Sequence, residues 1–235
     1  LGIDPQRRAE TLTLVEFADA GVVDYNAPIV SRYCPGDAAS ARRLWKQVRL
    51  VLRGYDVLRI DKMLGRSLDG AQAPNPLKQA LHTQDCEMYG NQIELHGNWE
   101  QWRHTLDKRV RKEFERCWRV FTRSEEARFE HVHDPDLALE LFAQMEVQQS
   151  ARMHETGADY RLDEAPYRAF YKQALADGLA DGSVVLTVLR DGEALVASHY
   201  GIANARRYIA LRTSTGGAAT ETETNSQTDK DMGDR

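Results

Sequence analysis

The sequence predicts a mixed α/β fold built on a mainly antiparallel sheet with flanking helices, and three observations carry that reading. From Arg128 onward the patterning runs strand, helix, helix and then three strands in close succession. Asp191-Gly192 sits between two apolar runs and is the strongest short hairpin signal a sequence offers, so two of those strands are antiparallel neighbours. Hydrophobic residues at 42% and charged residues at 29% are ordinary for a packed core under a solvated surface. With 235 residues, the chain suits one large domain or two small ones.

Taken in order, the elements begin with an alternating, β-branched run over Thr11–Phe17, read as a strand, and a turn-rich segment over Asp19–Pro28. Asp37 is placed to cap a helix through about Leu52, with Leu44, Val48 and Val51 at helical spacing as its apolar stripe. Asp56–Met63 reads as a strand, Leu64–Pro76 as a loop rich in breakers, and Cys86–His96 as a further strand. Asn98 caps a long helix to Arg123, on which Trp102, Leu106, Val110, Phe114, Cys117 and Phe121 form one apolar stripe. Arg128–Val132 is a short strand. Asp134-Pro135 opens a helix to about His154, since proline's missing N–H falls among first-turn donors that have no helical partner. Ala165–Asp177 is the next helix, and Ser183–Arg190, Glu193–Ile202 and Arg207–Ser214 are the three strands. From Thr215 to Arg235 there is no aromatic residue and no periodicity, a composition that reads as a disordered tail.

Composition excludes several classes of function. No apolar run reaches bilayer length, so a membrane span is not expected. The net charge of -5 gives no global nucleic-acid signal, and any basic function must be local. Cys34, Cys86 and Cys117 are odd in number and widely spaced, which suits free thiols in a reducing cytoplasm and neither a disulfide framework nor a zinc site. His131, His133 and His154 lack a metal-ligand pattern, so no metal is expected. The chain begins at Leu1 with no basic-then-apolar leader, and reads as a fragment cut at both ends.

Three groups of residues could carry chemistry. In the helix after Asp134 the core-facing side, Leu137, Leu141 and Met145, runs on into Gln148, Gln149 and Arg152. Polar groups that face inward need partners, which a ligand pocket would supply, unless the helix end projects into water. Over Asn98–Arg123 eight basic residues stand against four acidic ones, and Arg109, Lys112 and Arg116 recur on one side. That stripe could contact phosphate or RNA, or simply be a solvated face. His199 and Tyr200 lie in a strand next to the one bearing Arg212, and could serve as base and acid, or as ordinary packing residues.

The segments GNWEQWRHTLDKRVRKEFERCWRVFTR (Gly97–Arg123), FEHVHDPDLALELF, EVQQSARM (Glu146–Met153) and SVVLTVLRDGEALVASHYGI resemble the CelD-type, cellulose-biosynthesis-associated family of GNAT N-acyltransferases. Upstream, EFADAGVVDYNAPIV (Glu16–Val30) and RIDKM…PNPL (Arg59–Leu77) look like the end of a first unit of the same kind. The resemblance runs from about Leu12 to Ser214 and implies two incomplete GNAT-like units. They would be residues 1–97, then 98–214 with the basic connecting helix, followed by the tail 215–235. It implies acetyl-CoA or another acyl-CoA as donor and an amine or hydroxyl acceptor, a small molecule or a polysaccharide-related one. The implied catalytic pair is His199 and Tyr200, with substrate contacts at Gln149, Arg152, Arg212, Tyr25 and Asn26. Kinship with Fem-type aminoacyltransferases makes tRNA binding by the basic helix an alternative, and a non-catalytic remnant of the fold is another. Where the family carries a Ser-Pro-Gly loop and a further helix, this chain has RTSTGGAAT (Arg212–Thr220). That departure implies weak acyl-CoA binding and an open sheet edge at Arg207–Ser214 that invites self-association.

Overall fold

The computed structural model describes residues 12–19, 25–31, 33–34, 36–63, 75–84, 91–158 and 160–216. The chain divides into two compact units, Leu1–Ile93 and Glu94–Arg235.

In the first unit, β1 (Leu14–Val15) pairs in parallel with β2 (Val57–Leu58), much shorter than the strands expected there. A single parallel bridge, Asn26 to Met63, continues the pairing. Helix α1 (Ala38–Val51) starts where the sequence places it, because the Asp37 carboxylate accepts the Ser40 N–H at 2.8 Å. Its stripe of Leu44, Val48 and Val51 nevertheless stays exposed, and Ala41 is the helix's buried residue. Pro76, expected to end a loop, instead opens the short helix α2 (Pro76–Ala80), capped by Asn75. The rest of that loop, 64–74, lies outside the described residues.

In the second unit the long basic helix is two helices, α3 (Trp99–Thr105) and α4 (Lys108–Phe121). Asn98 and Gln101 form a reciprocal capping box on α3, each accepting the other's N–H at 3.0 Å. The break follows from local competition. The Thr105 hydroxyl donates back to the Trp102 carbonyl at 2.7 Å, Leu106 turns extended, and Asp107 caps α4 by accepting the Arg109 N–H at 2.7 Å. Neither helix buries a residue, so the apolar stripe read from the sequence is not a core face among the described residues. Phe114 is 50% and Trp118 53% exposed. The strand expected over Cys86–His96 is absent from 91–96, and 85–90 lie outside the described residues.

The remainder follows the order expected of it. β3 (Ala127–His131), α5 (Pro135–Glu155), α6 (Ala165–Gly178), β4 (Val184–Asp191), β5 (Ala194–Asn204) and β6 (Arg207–Thr215) succeed one another. The four strands form one antiparallel sheet in the order β3-β4-β5-β6. The β4–β5 turn is tight, with Gly192 at φ +58°, where glycine carries no steric penalty. Thr215, expected in the tail, closes β6 opposite Ala197, and residues 217–235 lie outside the described residues.

One face of this sheet packs on α5 and α6. Val184, Leu186, Val188, Leu195 and Tyr200 from the strands close over Ala138, Leu141, Phe142 and Met145 of α5 and Tyr171 and Leu175 of α6. Two bulges set which residues share that face. Val196 is extra against β4, and Leu211 is extra against β5, because Tyr200 pairs with Arg212 while Gly201 pairs with Ala210. Each extra residue reverses the alternation beyond it. The opposite face carries Phe129, His131, Thr187, His199, Thr213 and Tyr208. No described helix longer than 18 residues is apolar enough to cross a membrane.

Candidate functional site

The polar end of α5 meets the sheet. Asp134 caps the helix by accepting the Leu137 N–H at 2.7 Å, and from there 3.6-residue periodicity brings Phe142, Glu146 and Gln149 to one side. Gln149 donates its amide to the Thr213 carbonyl at 2.7 Å and accepts from the Arg212 Nε at 2.8 Å and the Tyr160 hydroxyl at 2.9 Å. Arg212, only 3% exposed, also reaches Glu146 Oε1 at 3.5 Å and the Tyr160 oxygen at 3.4 Å. Its guanidinium lies 5.2 Å from the Phe142 ring centre and 4.9 Å from that of Tyr171. A planar cation between two aromatic rings, with a carboxylate at its end, is held in place by all of them.

A second strip runs beside it. Gln148 donates to the Leu195 carbonyl at 2.7 Å and accepts from the Ser214 hydroxyl at 2.6 Å, and Ser214 is 2.7 Å from Ser198. The partners that the polar end of α5 requires are therefore supplied by the protein's own sheet. Arg152 stands apart from this network: it is exposed, and its hydrogen bond among the described residues is to the Thr215 hydroxyl at 3.4 Å. Burial pushes the Tyr160 phenol above its usual range, so it stays protonated and able to donate.

His199 and Tyr200 are not brought together. Tyr200 is fully buried, its hydroxyl donates to the Tyr171 carbonyl at 3.2 Å, and burial pushes its pKa up to about 12. A hydroxyl in that position cannot meet a substrate, and the acid role expected of Tyr200 is withdrawn. His199 points to the opposite face, half-buried, with its Nδ1 3.0 Å from the Tyr208 hydroxyl, and burial lowers its pKa.

Arg109, Lys112 and Arg116 do come together, lining one open groove with Asp107, Lys108 and Glu113. Arg116 is occupied by Glu113 at 2.8 Å, and this contact holds the Glu113 carboxyl below its usual range. Tyr25 and Asn26 belong to the first unit. Asn26 is buried, donating to Asp19 Oδ2 at 2.6 Å, whereas Tyr25 is exposed. Among the described residues no group of three or more His, Cys, Asp or Glu could hold a metal ion. Cys34 and Cys117 form no disulfide among the described residues, and Cys86 lies outside them.

Residues that sequence reasoning passed over complete these clusters: Glu146, Tyr160, Ser198 and Ser214 on the helix side, and Tyr208 on the other. Tyr160 sits in an aperiodic turn and gives no signal. Tyr208 has the parity of Arg212 in an unbulged strand, so only the Leu211 bulge reveals its face.

Comparison with protein families gives a match over residues 108–223 to the acetyltransferase (GNAT) domain model. The matched stretch contains α4, the whole four-stranded sheet and both of the helices packed on it. Comparison with curated proteins and with solved structures gave no significant match.

Proposed function

We propose, from the premise that residues 108–223 are a GNAT-type acetyltransferase domain, that the chain transfers an acyl group from acyl-CoA to an amine or hydroxyl acceptor. The observation that carries this reading is the coincidence of the matched segment with the antiparallel sheet flanked by α5 and α6. In the proposal His199, on the open face of the sheet, is the base. Arg212 and Gln149, on the helix-covered face with Glu146 and Tyr160, fix β6 from behind and do not meet the acceptor, and the exposed Arg152 adds a charge near the end of α5. Arg109 and Lys112 have no ion pair within 4 Å among the described residues and are proposed to meet phosphate, as the diphosphate of CoA would present. Tyr25, exposed on the first unit, is kept as a proposed substrate contact of that unit, whereas Asn26 is buried there with its amide donating to Asp19. The CelD-type assignment, with a polysaccharide-related acceptor in the cytoplasm, rests on the sequence segments quoted above and is part of the proposal.

The chemistry is a balanced substitution. The acceptor nitrogen or oxygen bonds to the thioester carbonyl carbon, the C–S bond breaks, and the acceptor's proton passes through the base to the departing thiolate. Calorimetric titration with acetyl-CoA tests the donor. Saturable binding that weakens in Arg109→Ala/Lys112→Ala supports the reading, and no binding up to millimolar donor sinks it.

A second reading is favoured by one observation, the half-exposed Phe114 and Trp118 on the helix that carries the basic groove. Stackable rings beside cations suit RNA. Retention of tRNA that falls steeply with salt, with a shallower slope on each charge removed, would support it. No retention at low salt removes it.

A further inference from the structure

The open face of the sheet holds a pair that the Leu211 bulge creates. Because Leu211 is extra, Tyr208 lies on the face of His199 and Gly201 and not on that of Arg212. Gly201 makes the room: a Cβ there would come within 2.3 Å of the phenol end of the Tyr208 ring, so only glycine admits that ring at this position. The ring centres of His199 and Tyr208 are 5.4 Å apart, and the phenol oxygen is 3.0 Å from Nδ1. His199 Nε2 makes no hydrogen bond among the described residues. The neighbouring groups on this face are Thr187 on β4, Thr213 on β6 and, one strand further, His131, whose Nδ1 is 2.8 Å from the Thr187 hydroxyl. No carboxylate or cation faces His199 among them, and α5 and α6 cover the other side of the sheet.

We infer that Tyr208 is a positioning residue for acyl transfer: its hydroxyl oxygen accepts the His199 Nδ1–H, fixing the tautomer whose Nε2 lone pair is free to take the acceptor's proton. The inference rests on the acyl-transfer reading and on His199 as its base. Three independent features converge on it, namely a bulge that re-aims one side chain, a glycine that admits it, and a hydrogen bond to one ring nitrogen only. Bulges beside functional groups serve this purpose in sheets, and the partner of one imidazole nitrogen decides what the other can do. Tyr208 itself stays neutral, since burial raises its pKa.

The test uses the whole chain and two readouts. Long-range 1H–15N spectra report the His199 tautomer, expected to be Nδ1–H in the native chain and to shift by about fivefold or more towards the mixture of an unbound ring in Tyr208→Phe. In parallel, thiol release from acetyl-CoA is followed against pH with glucosamine and with lysine as probe acceptors. Tyr208→Phe should lower kcat by about tenfold with little change in KM and displace the acid limb of the profile. His199→Ala should lower kcat by about a hundredfold or more. A tautomer that is mixed in the native chain, or unchanged in Tyr208→Phe, overturns the assignment. A tautomer that shifts while kcat and the acid limb stay put overturns the catalytic use of the bond. If the native chain releases no thiol yet its tautomer depends on Tyr208, the acyl-transfer reading fails and the orienting contact stands.

Discussion

Arg212 is the residue on which the helix side of the sheet turns, because four groups converge on it: Glu146, Gln149, Tyr160 and the sandwich of Phe142 and Tyr171. Arg212→Ala leaves the Glu146 carboxylate buried with only the half-exposed Arg168, 3.4 Å away, and should cost about 3 kcal/mol in urea unfolding. Arg152→Ala, by contrast, should change stability by less than about 0.5 kcal/mol, since its side chain is exposed. Tyr200→Phe removes a buried hydroxyl from the Tyr171 carbonyl and should cost about 1 kcal/mol while leaving any pH–rate profile in place. For His199 the sign follows from burial. The folded pKa lies below the ordinary 6.5, so the unfolded chain takes up the proton first as the pH falls. Its contribution is complete above 6.5 and is lost as the pH drops towards the lowered folded value. Stability measured down through that window should fall more in the native chain than in His199→Gln.

Elements were legible wherever a local signal coincided with burial. Asp134-Pro135, Pro166 near the start of α6 and Asp191-Gly192 each mark a boundary by backbone chemistry alone, and all three elements stand where the sequence put them. Asp107 was the missed signal: it is a good cap in the middle of an apolar repeat, and the repeat was read as continuous. Asp107→Ala should cost α4 about 1 kcal/mol and speed hydrogen exchange at the Arg109 amide. Sheet faces were less legible, because alternation cannot show a bulge. Reading 208, 210 and 212 as one face puts Tyr208 with Arg212, and a single extra residue moves it to His199. Deleting Leu211 removes the extra residue and leaves Ala210 opposite Gly201 and Tyr208 opposite Ala203, so the His199–Tyr208 contact should persist in nuclear Overhauser spectra of the deletion variant.

For the whole molecule, the second unit's architecture was readable from the order of its elements, since short connections leave few ways to pair consecutive strands. The candidate site was only partly readable. Gln149 was found from a stripe that turned polar and Arg212 from its strand beside His199 and Tyr200. Glu146 lies one helical turn before Gln149 and was passed over, whereas Tyr160 joins through three-dimensional packing that no spacing encodes. β6 is the last strand in the described sheet, and its proposed use as an edge predicts concentration-dependent self-association, detectable by analytical ultracentrifugation. The central claim is acyl transfer, and transfer of a 13C-labelled acetyl group from acetyl-CoA, at concentrations up to millimolar, to amine and hydroxyl probes tests it most directly. The account predicts labelled product by mass spectrometry from the native chain and at most about a hundredth as much from His199→Ala. No labelled product from the native chain, or equal product from both, would contradict it.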